Sequence, residues 1–130
     1  MDVRFVVCGH GGFGTGLHGA LRLLCGEDSR VSSLDFCEGD SFDELVEHME
    51  ELVAGREGAP IIICTDVRGG SPYKASLLMQ MKHPEVHAVT GVNFPLLMEL
   101  MFPPREFENA EELVSHAVLS ARAELTCVEI

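Results

Sequence analysis

Four short runs rich in apolar and β-branched residues, each followed by a turn and then by apolar residues at helical spacing, constrain this chain more than any other feature. The runs are Val3–Cys8, Val31–Phe36, Pro60–Thr65 and Val86–Thr90. Ile61-Ile62-Ile63 is the clearest of them, a continuous apolar stretch of the kind that is buried on both faces of a parallel sheet. Between the runs lie helix signals. Leu17, Ala20, Leu21 and Leu24 follow the loop Gly11-Gly12-Phe13-Gly14 at helical spacing, and Gly26 is a suitable stop. Ser41-Phe42-Asp43-Glu44 is a capping box opening a second helix, with Leu45, Met49, Leu52 and Val53 as its stripe and Gly55 at its end. After the loop Asp66–Gly70, Ser71 reads as an N-cap with Pro72 at the first helical position, and Ala75, Leu78, Met79 and Met81 continue that helix. A further helix near Asn93–Met101 is broken by Pro103-Pro104. Asn109 with Glu112 opens the last one, which carries Leu113, Ala117, Val118 and Ala121, and Leu125–Ile130 reads as a final strand.

Strands that alternate with helices throughout predict an α/β fold: a single doubly wound, mainly parallel sheet flanked by helices, with right-handed crossovers. The expected strand order is 2-1-3-4. The 130 residues match the usual size of one domain and show no linker, low-complexity tract or internal repeat, so residues 1–130 are expected to form one domain.

The formal net charge of -12 excludes nucleic acid and an anionic membrane surface as partners, since both demand clustered Lys and Arg. It suits a partner with a basic docking face, and it serves solubility equally well. No apolar run approaches the roughly 20 residues that span a bilayer. The five cysteines are odd in number and none is spaced C-x-x-C. Cys8 and Cys64 sit in apolar runs as small core residues. A disulfide framework and a zinc site are therefore not expected, which places reduced thiols in the cytoplasm.

In an open parallel sheet, ligands bind beyond the carboxyl ends of the strands, where the strand order reverses. Strand one ends at Gly9-His10-Gly11, and strand three ends at Asp66, ahead of Gly69-Gly70-Ser71-Pro72. With order 2-1-3-4 these two ends are neighbours, and His10 and Asp66 face each other across a glycine-lined crevice. A carboxylate that accepts from one imidazole nitrogen fixes the tautomer and leaves the other nitrogen free as a nucleophile. Gly11 and Gly70 let backbone N–H groups approach a phosphoryl group. The helix starting at Ser71 adds its positive dipole end, and Ser71 adds a hydroxyl. These are the parts of a phosphohistidine site. There is no P-loop and no complete dinucleotide fingerprint. His48, His83, His87 and His116 form no metal-type pair, so no metal is expected. His18, on the first helix, is the one other histidine near the site.

The residues resemble a known family, the IIA domain of the mannose-type (mannose, fructose, sorbose, N-acetylgalactosamine) phosphoenolpyruvate-dependent sugar phosphotransferase system. The resemblance rests on His10-Gly11 at the end of strand one, on Asp66 with Gly69-Gly70-Ser71-Pro72-Tyr73, and on Gly91-Val92-Asn93-Phe94-Pro95-Leu96-Leu97. It implies a cytoplasmic phosphocarrier that needs no cofactor and meets the membrane only through the sugar-transporter components. Phospho-HPr would donate to His10, and a histidine of the cognate IIB component would receive the group. Asp66 would hold the ring with Nε2 outward. The resemblance further implies a homodimer in which Leu125–Ile130 is an antiparallel edge strand exchanged between subunits. The chain departs from the usual family pattern at Gly9, where Thr is common, at Arg68, where an aromatic or apolar residue is usual, and at Lys74, where Asn is common. Arg68 thereby joins Gly11, Gly70 and Ser71 as a candidate for phosphate binding. Three other readings of the crevice stay open at this point: a flavodoxin-like module for a small molecule or nucleotide, a catalytically silent regulatory dimer, and the phosphocarrier domain of the dihydroxyacetone kinase system.

Overall fold

The computed structural model describes residues 1–54 and 58–130. Its elements run β1 (Arg4–His10), α1 (Phe13–Cys25), β2 (Val31–Phe36), α2 (Phe42–Val53), β3 (Ile61–Thr65), α3 (Ser71–Lys82), β4 (Val86–Thr90), α4 (Phe94–Met101) and α5 (Ala110–Glu124). The four strands form one sheet in the order β2-β1-β3-β4, as expected, and every pairing is parallel. Alternation along β1 and β3 sends successive side chains to opposite faces. Phe5, Val7, Ile62 and Cys64 pack with Leu21, Leu97, Leu113 and Ala117 of α1, α4 and α5. Val6, Cys8, Ile61 and Ile63 pack with Leu45, Met49, Ala75 and Met79 of α2 and α3. The central strands are thus covered on both faces, which is why they read as continuous apolar runs.

Local signals set most helix starts. The side chains of Ser41, Asn93 and Asn109 each accept from the backbone N–H three residues on, at Glu44, Leu96 and Glu112. The start of α3 differs from expectation: Gly70 is the N-cap, and Ser71 is already the first helical residue. Likewise β1 continues through Gly9 and His10, and α1 begins at Phe13, so Phe13 and Gly14 are helical rather than looped. In α1 only Leu21 of the expected stripe is fully buried; Ala20 and Leu24 are exposed, as are Leu78 and Met81 on α3. The expected stop at Gly55 lies outside the described residues. Residues 125–130 form no strand within this chain and stand exposed beyond α5. Among the described residues, no helix is long and apolar enough to cross a membrane.

Candidate active site

His10 is the last residue of β1, and Asp66 directly follows β3. These strands are adjacent and parallel, with Cys8 paired to Thr65, so both residues emerge at the same end of the sheet. Asp66 Oδ2 accepts from the His10 backbone N–H at 2.8 Å and lies 2.8 Å from His10 Nδ1. Asp66 Oδ1 accepts from the Val67 N–H at 2.9 Å. Partial burial pushes the Asp66 carboxyl up. The backbone and ring hydrogen bonds from His10, the Val67 N–H and the charge of His10 outweigh that and hold it below the usual carboxylate range. An ionised carboxylate can only accept, so the proton of neutral His10 sits on Nδ1 and the lone pair on Nε2.

Nε2 has a defined seat. A Cβ added at Gly70 would stand 2.6 Å from His10 Cε1 and 3.3 Å from Nε2, so the ring lies directly on the backbone of that glycine. The Phe36 ring closes another side, edge-on at 6.1 Å between centroids. Gly70 is also the N-cap of α3 and brings no capping side chain, unlike the residues opening α2, α4 and α5. The outer nitrogen of His10 therefore sits beside a helix start whose first N–H groups and positive dipole end are not capped by a side chain, which is a favourable place for an anion.

The other candidates divide. Ser71, half-buried, opens α3 immediately after the glycine under the ring. Arg68 lies exposed in the turn between Asp66 and Gly70, and among the described residues no carboxylate pairs with it or with Lys74. Gly11 adjoins His10, but its N–H is donated to the Phe36 carbonyl at 2.8 Å, so it is not a free donor. His18 is not part of the cluster: its Nδ1 is 3.2 Å from Ser33 Oγ on β2. Burial and then the charge of Arg22 lower its pKa, against an opposing pull from Glu27. Sequence reasoning passed over a further contact, in which Asp35 at the end of β2 accepts from the Thr15 N–H and hydroxyl at 2.9 and 2.7 Å and ties the first turn of α1 to the sheet. An Asp near the end of one strand and a Thr in the next helix carry no local signal for that pairing.

Comparison with known proteins decides the family. Residues 4–118 match the family described as the PTS system fructose IIA component. The chain belongs to the mannose-type IIA family of the sugar phosphotransferase system. It is 28% identical over 126 residues to a sorbose-specific EIIA component of Klebsiella pneumoniae, covering 97% of this chain and 90% of that protein. It is 29% identical over 125 residues to the mannose-specific EIIAB component of Escherichia coli K12, covering 94% of this chain and 38% of that longer protein. Among solved structures, a PTS IIA protein associated with the fucose utilization operon of Streptococcus pneumoniae superposes with a TM-score of 0.72 at 29% identity, covering 95% and 96% of the two chains. An EIIA component from Streptococcus agalactiae shares the fold, with a TM-score of 0.85 at 23% identity and 96% of each chain covered.

IIA components of this system transfer phosphoryl groups, and two features of this one bear on how. The residue before His10 is Gly9, and the Phe13 side chain fills the space a Cβ there would need, with its Cγ only 2.8 Å from that point. Phe13 and Gly9 therefore go together in this mannose-type IIA chain. In addition, the site is open. A cleft of about 750 Å³ lies at the opposite, amino-terminal ends of the strands, beside Pro60, Glu85 and His87, and does not contain His10. The His10 side chain is 46% exposed, which suits a reaction partner that is itself a protein.

Proposed function

We propose that residues 1–130 form a phosphocarrier domain, which takes a phosphoryl group from phospho-HPr onto His10 Nε2 and passes it to a histidine of its cognate IIB component. The observation that carries this reading is the pairing of His10 Nδ1 with Asp66 at 2.8 Å while Nε2 rests beside the start of α3. In the forward step the Nε2 lone pair forms the new N–P bond. The bond between phosphorus and the donor breaks, and its electron pair stays on the donor. No proton leaves His10, because Nδ1–H remains with Asp66, whose negative charge balances the cationic phosphorylated ring. The second step is the same exchange with the IIB histidine as nucleophile. Catalysis of this kind needs positioning and charge stabilisation rather than a separate base. Gly70, Ser71 and Arg68 surround the phosphoryl group in this reading, and no cofactor or metal takes part.

The carrier works in the cytoplasm as a homodimer. Residues 125–130 leave α5 exposed, with Leu125 and Val128 87% and 96% accessible, and β4 is an edge of the sheet. An exposed apolar tail and an open edge suit strand exchange between two copies. Truncation after Glu124 followed by light scattering tests this, and an unchanged dimer removes the exchange.

The test of the central reading is chemical. Phosphoenolpyruvate, enzyme I and HPr together are expected to add one phosphoryl group that survives base, is lost in acid, is absent in His10→Ala and is retained in His18→Ala. Labelling of His10→Ala, or an acid-stable adduct on Ser71, refutes it.

A further inference from the structure

Thr65 and Ser76 are the buried polar residues of the core among the described residues, and Thr65 is fully enclosed. Ser76 has a local explanation, because its hydroxyl donates to the Tyr73 carbonyl of its own helix at 2.7 Å. Thr65 has none. It follows Ile61 and Ile63 onto the α2/α3 face of β3, where an apolar residue of the same shape would pack equally well. Its hydroxyl instead donates to Thr90 Oγ1 at 3.1 Å, between residues in direct register at the carboxyl ends of β3 and β4, with the Val89 carbonyl of β4 as a longer second acceptor at 3.5 Å. The Thr65 carbonyl accepts from the Val92 N–H at 3.0 Å, just beyond that end. On its other side Thr65 pairs with Cys8 of β1. The next residue is Asp66, which leaves the sheet and holds His10.

We propose that Thr65, through its hydroxyl bond to Thr90, is a positioning residue that fixes the Asp66 carboxylate against His10. The inference rests on the phosphohistidine reading above. The residue before Asp66 is the last point at which that segment is anchored by the sheet, and the hydroxyl pair fastens it on the side away from His10. Without the pair, the carboxylate turns relative to the ring, and the Nδ1–H tautomer is no longer enforced.

The test compares Thr65→Val, Thr65→Ser and Thr90→Val in the full chain. The readouts are the rate of phosphoryl entry at saturating phospho-HPr, the nitrogen NMR spectrum of the His10 ring, and the melting temperature. Thr65→Val is expected to slow entry roughly tenfold, as small misplacements of reacting groups do. The ring spectrum should show Nε2–H tautomer appearing in the same variant. Thr65→Ser restores both, and Thr90→Val moves both in the same direction as Thr65→Val. A change in melting temperature alone, with wild-type rate and tautomer, overturns the proposal. If Thr65→Val does not fold, Thr90→Val decides, because it breaks the same bond from a half-buried position. The two readings fail separately: labelling of His10→Ala defeats the phosphohistidine reading, while the ring spectrum still reports whether Thr65 sets the tautomer.

Discussion

Replacing Gly70 by Ala adds one methyl group against the His10 ring. The backbone there, φ -75° and ψ 172°, is open to any residue, so the substitution introduces no conformational strain. The obstacle is steric: the new Cβ stands 2.6 Å from Cε1 and 3.3 Å from both Nε2 and Val67 Cγ1. Cε1 has to retreat by about 0.8 Å to reach an ordinary 3.4 Å contact. The ring is anchored by Asp66 at 2.8 Å, so it can retreat only by stretching or breaking that bond. A hydrogen bond to a charged partner contributes about 1.5–3 kcal/mol, which corresponds to a loss of roughly 10- to 150-fold in the population of correctly held His10. Gly69→Ala is the control. Its φ of +85° costs an L residue about 1–2 kcal/mol in stability, but its Cβ meets nothing within 4 Å. Both variants are therefore expected to melt below wild type, Gly70→Ala through the lost His10–Asp66 bond and Gly69→Ala through backbone strain, but only Gly70→Ala to lose most of its phosphorylation by phospho-HPr. Label incorporation on a rapid-quench timescale, with melting curves alongside, separates the two. Wild-type transfer by Gly70→Ala, or equal impairment of both variants, refutes the claim that Gly70 is kept small by the His10 ring.

Asp66→Asn should slow transfer without unfolding the chain, by less than the roughly 10⁴ seen for the analogous change in a protease triad, because His10 is itself the nucleophile and no base is lost. The depressed Asp66 carboxyl contributes stability that is fully present above its unfolded value of about 3.9 and is lost as pH falls through the lower folded value. The gap in melting temperature between wild type and Asp66→Asn should accordingly hold steady above about pH 5 and close in more acidic buffer; a gap that widens on acidification contradicts it. Gly14→Ala should destabilise the fold by about 1–3 kcal/mol in urea titration, since a Cβ there collides with the Leu34 carbonyl oxygen and lies 2.9 Å from that of Val7. Burial pushes the Cys64 thiol up to about 12, and burial with the charges of Asp66 and Asp35 does the same for Cys8. Iodoacetamide at pH 8 should therefore add three groups to the native chain, at the exposed Cys25, Cys37 and Cys127, and five after unfolding, as read by mass spectrometry.

Short-range chemistry was legible along the chain, because it acts within a turn or a pleat. The caps at Ser41, Asn93 and Asn109 each join residues three apart. The apolar run Ile61-Ile62-Ile63 could be buried only between two layers, and alternating strands and helices led to a parallel sheet, for which the order 2-1-3-4 was an expectation that the structure meets. The meeting of His10 and Asp66 followed from that order, since adjacent parallel strands end together. What the sequence could not show is what each residue touches once the layers close. Gly70 reads as a glycine that opens backbone N–H groups to a phosphoryl group, yet it is also the seat of a ring sixty residues earlier in the chain. Ser71 carries the stronger capping signal, but the helix begins one residue earlier, with Gly70 as its cap. His18 looks as near the site as any residue of the first helix, and packing turns it to Ser33 instead. Thr15 with Asp35 and Thr65 with Thr90 are bonds across 20 and 25 residues, between side chains with no periodicity to announce them. Propensity and spacing decide where strands and helices form, whereas tertiary packing decides which atoms come within 3 Å of each other, and the chemistry of this site depends on the second.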